Sequence, residues 1–480
     1  LLDVYARERF IELVPTQNCF GHMSPWLVLD AYKELAENPE GFELIPGLRN
    51  PPSVLNPLDP ASLRLVTGLL DELLPNFTSP RVNICFDEPF ELGSGKSSAV
   101  CAGLDSAVCA GLDSAVCAEK GVGRVYLEFL KKVCSVTARH GRRPMIWGDI
   151  ITKHPELLNE LPRDITILDW NYEGALSFDA HCRLLEEHGL EYYVCPGTSG
   201  WCSIAGRVSN MRANLLDAAE QGARHGAGGF LVTDWGDMGH WQVPAVSWPG
   251  YVYGAALSWN MAGNRDADIA RYLVTFAFRD QARGMGNMAL ALGDYSLHEG
   301  MYVPNVTLTY GLLALVGLCG REEMGGFIQG YLTAAGGEAG DGKGPVEQPP
   351  AEASPGPALP PDFLPAFDIA GLRGLLARSG EQLDRARMGR GDAALIAEEY
   401  RNTIRLISHG ADLMTYIITE EHLAREEKEG MLRRMSAELV EFIDGFERLW
   451  RGRNREGGLG RSTRRFHQLL GQYADRLARL

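Results

Sequence analysis

The sequence predicts an α/β fold of the TIM (β/α)8-type barrel class followed by an α-helical C-terminal domain, and three observations predict it. Short apolar runs alternate with helical patterns through residues 1–285, as a parallel βα array requires. Several of those runs end abruptly in acids and tryptophans, the composition expected at the C-terminal rim of a barrel. Beyond a Gly/Pro-rich stretch, apolar residues recur at three- and four-residue spacing to the end of the chain.

The strand candidates, in order, are Phe10 to Pro15, Arg81 to Phe86, Pro144 to Trp147, Ile165 to Trp170, Glu191 to Cys195 and Gly229 to Asp234. These are six strands where a full barrel needs eight. The chain also opens at Leu1 in what reads as the helix before the first of them, so the expectation is a barrel lacking its first two strands. Residues 1–285 form the barrel portion, 286–333 a helical connection, 334–362 a Gly/Pro-rich linker or loop, and 363–480 the helical domain. The eight-residue unit Ser98-Ala-Val-Cys-Ala-Gly-Leu-Asp105 is repeated at once as Ser106 to Asp113. So short and perfect a repeat reads as a recent tandem duplication or a sequence-assembly artefact rather than a solenoid.

A chain of 480 residues with 45% hydrophobic content buries at least one large core. Its net charge of −16 argues against nucleic acid or an anionic membrane as partner, since both select clustered Lys and Arg. No apolar run is long enough for a membrane-spanning helix, and Leu1 to Phe10 lacks the form of a signal peptide, so a cytoplasmic location is expected. The ten cysteines lack paired CxxC spacing and read as structural thiols in a reducing compartment. The composition is compatible with oligomer formation.

The most informative stretch is Arg81-Val-Asn-Ile-Cys-Phe-Asp-Glu-Pro-Phe-Glu-Leu-Gly93, an apolar run delivering Asp87 and Glu88 to a strand end. Other runs end in Trp147-Gly-Asp149, Asp169-Trp-Asn-Tyr-Glu173 and Asp234-Trp-Gly-Asp237. Adjacent residues on a strand face opposite ways, so Asp87 and Glu88 are not expected to flank a scissile bond as two facing carboxylates. One reading makes Glu88 a proton donor and Asp87 an anchor for a substrate group. The other makes both an acidic helix N-terminus. Trp147, Trp170, Trp201 and Trp235 at rim positions favour the first, because indole faces stack on pyranose rings. Glu173 and Asp237 would then accept hydrogen bonds from sugar hydroxyls.

With these residues in view, the chain from Phe10 to Trp259 resembles glycoside hydrolase family 20, the β-N-acetylhexosaminidases, and specifically the bacterial β-N-acetylglucosaminidases with a helical C-terminal domain. Val14-Pro15, followed after five residues by Gly21-His22, matches a motif of that family's third strand, and Asp87-Glu88 matches its acid pair. The chain departs from the pattern at Asn18, where the family has Asp, and at Cys85-Phe86, where it often has Gly-Gly. The resemblance implies Glu88 as general acid and then base, and Asp87 as the residue that positions a substrate acetamide. It implies Trp147, Trp170 and Trp235 around the N-acetyl group, with Asp237 as a contact to the sugar hydroxyls; His22, and Trp201 and Glu173 from their strand-end positions, stand beside them as candidate substrate contacts. Tyr172 stands as the substitute for the family's acetamide-binding tyrosine. Terminal N-acetylglucosamine or N-acetylgalactosamine on oligosaccharides or glycoconjugates is the implied substrate, with no cofactor and no metal.

Four rival readings compete with this one. Gly93-Ser-Gly-Lys-Ser97 resembles a phosphate-binding loop but has Phe90 where that motif needs glycine, and Gly197-Thr-Ser199-Gly-Trp201 lacks the second glycine of a nucleophile elbow. His22 and His240 with Asp87, Asp149 and Asp237 lack the close ligand spacing of a metal centre. An inactive carbohydrate-binding protein derived from an incomplete barrel is the alternative to an enzyme.

Overall fold

A computed structural model of the chain describes residues 1–45, 48–103, 114–334 and 366–480. The second copy of the short repeat, and all of the 334–362 linker except Ala334, lie outside the described residues. The chain divides into two compact units. The first comprises Leu1–Trp170, Phe178–Cys195 and Gln221–Leu231; the second comprises Asn171–Ser177, Pro196–Glu220 and Val232–Leu480.

The first unit opens with helix α1 (Leu2–Arg7) and a small antiparallel hairpin of β1 (Phe42–Ile45) and β2 (Leu48–Asn50). The hairpin is absent from the strands expected from sequence, although its strands flank a Pro46-Gly47 dipeptide, a strong turn signal. Five parallel strands then run side by side in chain order: β3 (Arg81–Asn83), β4 (Arg143–Trp147), β5 (Thr166–Trp170), β6 (Glu191–Cys195) and β7 (Gly229–Phe230). Register is continuous, with Val82 opposite Pro144, Trp147 opposite Leu168, Trp170 opposite Cys195 and Val194 opposite Phe230. The inner residues of β4 and β5, Met145-Ile-Trp147 and Ile167-Leu168, are apolar and buried, as the central strands of a parallel sheet require. Helix α2 (Pro60–Leu73), capped by the Asp59 carboxylate on the Ala61 amide, packs on helix α3 (Ser114–Arg139), which in turn packs on β4. Val82, Ile84, Ile146, Ile167, Leu168 and Val194 are buried with Leu130 and Val133.

This is a parallel half-barrel, not a complete one. The strand expected at Phe10 to Pro15 does not form: Phe10 has φ +58°, and Pro15 has no amide to contribute to a ladder. What remains is one parallel bridge, with the Asn83 amide donating to the Pro15 carbonyl and the Gln17 amide to the Asn83 carbonyl. The expected Arg81 to Phe86 strand stops at Asn83, and that of Gly229 to Asp234 stops at Phe230.

The second unit is dominated by helices α4 (Ile369–Arg385), α5 (Ala393–Thr419), α6 (Arg425–Arg453) and α7 (Leu459–Arg479), each packed on the next. Their apolar stripes meet in a core that includes Leu406, Ile407, Leu413, Leu432, Leu439 and Tyr473. Phe466 of α7 is fully buried, its ring centroid 4.3 Å from that of Trp241 and 4.8 Å from that of Phe442. Arg453 donates to both oxygens of the buried Glu399 at 2.7 and 2.8 Å, tying α6 to α5. Truncating an aromatic side chain so enclosed removes its burial and leaves a cavity. Phe466→Ala is therefore expected to lower unfolding free energy by about 3–5 kcal/mol, measured as a lower urea midpoint at unchanged slope.

Candidate active site

The chain leaving β3 does not continue extended. Cys85, Phe86 and Glu88 all have positive φ, at +65°, +70° and +47°, and His22 on the facing segment has +56°. Left-handed backbone is unfavourable for residues with a Cβ and persists only where the surroundings fix it. Each of these positions has its own restraint. The Cys85 amide donates to Asn83 Oδ1 at 2.9 Å, the Tyr126 hydroxyl to the Phe86 carbonyl at 3.1 Å, and the Glu88 amide to Asp149 Oδ2 at 3.1 Å. The Asn18 amide reaches the His22 carbonyl at a long 3.5 Å. The Phe86 ring sits among Phe20, Tyr126 and Phe129, with centroids 5.2 to 5.9 Å away.

The bend overturns the sequence argument that neighbouring acids face opposite ways, since Asp87 and Glu88 lie beyond the strand. Both turn toward one imidazole: His22 Nε2 is 3.2 Å from Asp87 Oδ2 and 3.4 Å from Glu88 Oε2. Glycine at position 21 permits this approach, because a Cβ there would lie 2.3 Å from the Asp87 carbonyl oxygen. The Glu88 side chain is 34% exposed and that of Asp87 16%, so the first meets solvent and the second is sheltered.

Electrostatics follow from this grouping. Hydrogen bonding to Asp87, and next to Glu88, raises the His22 pKa to about 10, which keeps the ring an imidazolium at neutral pH. Burial, reinforced by the Asp87 and Glu88 charges and opposed by the Glu88 amide, raises the Asp149 carboxyl to about 6. Among the described residues, Asp87 Oδ1 and Asp149 Oδ1 are buried without a hydrogen-bond partner.

In the second unit Tyr172 is the hub of an aromatic set. Trp201, fully buried, meets it edge-on at 4.9 Å, and Trp235 Nε1 donates to its hydroxyl oxygen at 2.9 Å. The Trp201 indole donates to Asn305 Oδ1 at 3.0 Å. Glu173 is sequestered: Arg207 pairs with its two oxygens at 2.9 and 3.0 Å, and the Asn305 amide and Tyr302 hydroxyl donate to it as well. That leaves a supporting network rather than the open hydroxyl acceptor expected from sequence. Asp237 is exposed in the short turn Asp237–Gly239.

Residues 2–205 match the family model described as glycosyl hydrolase family 20, catalytic domain. This segment belongs to glycosyl hydrolase family 20. It contains the His22, Asp87 and Glu88 group, Trp147, Trp170 and the Tyr172 to Trp201 stretch; Trp235 and Asp237 lie beyond it. Among solved structures, the chain is similar to an exo β-N-acetylglucosaminidase from Vibrio harveyi at 18% identity, covering 60% of this chain and 43% of that one with a TM-score of 0.40. It is similar also to a chitobiase from Flavobacterium johnsoniae at 13% identity, covering 98% and 67% with a TM-score of 0.41. For a β-N-acetylhexosaminidase from Bacteroides fragilis the figures are 18% identity, 42% and 36% coverage, and a TM-score of 0.30. The chain thus spans between about a third and a half of the length of the first of these structures, at 36% and 43%. No curated protein matches it.

Within the family 20 segment, the sequence-expected residues of the first unit are placed unequally. His22, Asp87 and Glu88 form one group, whereas Trp147 and Trp170 close the neighbouring strands β4 and β5, the former buried and the latter partly so. Asp149 enters the group through the Glu88 amide although sequence reasoning gave it no site role; its position two residues after a strand-end tryptophan was the available signal. Arg207, Tyr302 and Asn305 carried no signal, being distant in sequence from Glu173. His240 belongs to the second unit, and among the described residues no group of three or more His, Cys, Asp or Glu side chains is arranged to hold a metal ion.

Removing either shifted group is expected to lift the variant relative to the parent as pH rises, in two separate windows. A histidine with a raised folded-state pKa contributes stability in full below its ordinary 6.5 and loses it as pH climbs through about 10. Compared with the parent, His22→Gln is expected to lose less thermal stability over that window, with the difference shrinking in added salt because the ring is partly exposed. A carboxyl with a raised pKa burdens the fold as pH rises from its ordinary 3.8 through about 6. Asp149→Asn is expected to gain melting temperature relative to the parent between those pH values, and parallel pH profiles would contradict both assignments.

Proposed function

We propose that the chain is an exo-glycosidase that removes terminal non-reducing β-linked N-acetylglucosamine or N-acetylgalactosamine by substrate-assisted, retaining catalysis. The observation that carries this reading is the convergence of Asp87 and Glu88 on His22 through a restrained bend. The five parallel strands are read with it as an arc of a (β/α)8-type barrel whose strand ends present the group.

Glu88, the more exposed acid, donates its proton to the glycosidic oxygen. Asp87, sheltered beside it, accepts a hydrogen bond from the acetamide N–H and holds the acetamide so that its carbonyl oxygen attacks C1. The C1–O bond to the leaving group breaks as the C1–O bond to the acetamide forms, giving an oxazolinium ion and a free alcohol. Glu88, now a carboxylate, takes a proton from water as that water opens the ring at C1, and the anomeric configuration is retained.

The test is hydrolysis of chitobiose and of p-nitrophenyl β-N-acetylglucosaminide by the chain and two variants. Glu88→Gln is expected to lower kcat on chitobiose by about 10²–10⁴-fold, and less on the activated phenolate. Asp87→Asn is expected to depress kcat on both by roughly a hundredfold or more, since acetamide placement acts as effective molarity. Progressive fluorination of the substrate acetyl group should slow the parent steeply. Equal turnover of a β-glucoside without the acetamide would defeat substrate assistance, and an unchanged Glu88→Gln rate would defeat the acid assignment.

A further inference from the structure

The mechanism above makes no use of Asp149, yet its side chain supplies the hydrogen bond that restrains Glu88. We propose that Asp149 is the positioning residue of the acid–base group: by accepting the Glu88 amide it holds the left-handed backbone that turns the Glu88 carboxyl toward His22. The inference deepens the proposed function and rests on it for its kinetic part only.

Geometry singles out this contact. Cys85 is restrained by an acceptor two residues away, Asn83, and Phe86 by an enclosing aromatic cluster together with Tyr126. Both restraints act before the acids in the chain. Beyond Asp87 the next residues are Glu88 and then Pro89, which has no amide to donate. Asp149, delivered by the end of the neighbouring strand β4, is therefore the side chain that fixes the Glu88 peptide from outside its own segment. Position 148 is glycine, and a Cβ there would approach the Ile167 side chain to 3.1 Å and the Leu168 carbonyl oxygen to 3.4 Å, so Asp149 follows a close passage of β4 past β5. The other Asp149 oxygen is buried and, among the described residues, unpartnered, which leaves the Glu88 amide as the bond that this carboxyl makes.

The charged and titratable groups that act on Asp149 are Asp87, Glu88 and Lys153, and Tyr126 feels its charge. His22 is governed first by its hydrogen bonds to Asp87 and Glu88. Both the alanine and the asparagine variants lose the Asp149 charge, so a change at His22 confined to the alanine variant reports movement of Glu88 rather than loss of that charge.

Asp149→Ala removes the acceptor, and Asp149→Asn keeps an acceptor oxygen while removing the charge. The His22 titration midpoint, read by NMR of the imidazole and assigned by its loss in His22→Gln, is expected to fall by about one unit or more in the alanine variant and to stay in place in the asparagine variant. On p-nitrophenyl β-N-acetylglucosaminide, kcat is expected to fall about 100-fold in the alanine variant with KM nearly unchanged, and to recover most of that loss in the asparagine variant. If the alanine variant does not fold, Asp149→Ser takes its place, its hydroxyl being too short to reach the amide. An unmoved His22 midpoint in the alanine or serine variant overturns the proposal, as does an asparagine variant damaged equally. A shifted midpoint in a chain whose parent does not turn over hexosaminide upholds the positioning role and overturns the enzymatic reading instead.

Discussion

The structure of the first unit turns on one constraint: a strand must end early and reverse its backbone hand so that two consecutive acids meet the same imidazole. Three residues with side chains accept the left-handed region between Cys85 and Glu88, and a fourth does so at His22. Each costs on the order of 1–2 kcal/mol relative to ordinary backbone, so the segment is unstable by itself. Its persistence requires the surrounding fold to over-determine it. The aromatic cluster of Phe20, Phe86, Tyr126 and Phe129 does this at one end, and the β4-borne Asp149 at the other. The sheet matters to the site chiefly as the element that fixes Asn83 at the end of β3 beside the turn after β4 that carries Asp149.

That dependence explains what was legible in the sequence. Strands β4, β5 and β6 announce themselves because their apolar runs are long and bounded by turn residues, and the helices of the second unit because their apolar spacing persists over many turns. Asp87, Glu88 and His22 were found because acids after an apolar run are conspicuous, and because Val14-Pro15 and Gly21-His22 keep a recognisable spacing. The end of β3 was misplaced for a definite reason. Ile84-Cys-Phe86 has the composition of a strand, and nothing local in it signals positive φ; the Tyr126 and Asn83 contacts that impose it are tertiary. Phe10 to Pro15 failed likewise, since apolar content alone does not form a ladder where a proline removes a donor.

Glu173 shows a second way in which local reading falls short. From sequence it is an acid after a strand-end tryptophan, indistinguishable in kind from Glu88. Arg207, 34 residues further on, and Tyr302 and Asn305, 129 and 132 residues away, decide its fate by occupying its oxygens. A buried carboxylate so paired is expensive to break and offers little to an incoming hydroxyl. Its contribution lies in holding Asn305, which accepts the Trp201 indole and so orients the ring that meets Tyr172.

The remaining asymmetry lies within the acid group itself. Asp87 and Glu88 are nearly equidistant from His22 Nε2, so the imidazolium does not distinguish them by distance. Solvent access does, with Glu88 about twice as exposed as Asp87. An acid that must exchange a proton with a leaving group and then with water needs the wetter position. A carboxylate that must stay ionised and fixed needs a nearby cation and shelter. In the proposed mechanism the single imidazolium would serve both needs at once, stabilising the charge on Asp87 while leaving Glu88 within reach of its reaction partners. The bend that brings the two acids to one ring is thus also what gives two adjacent carboxyl groups of similar chemistry the unequal exposure on which the proposed division of roles rests.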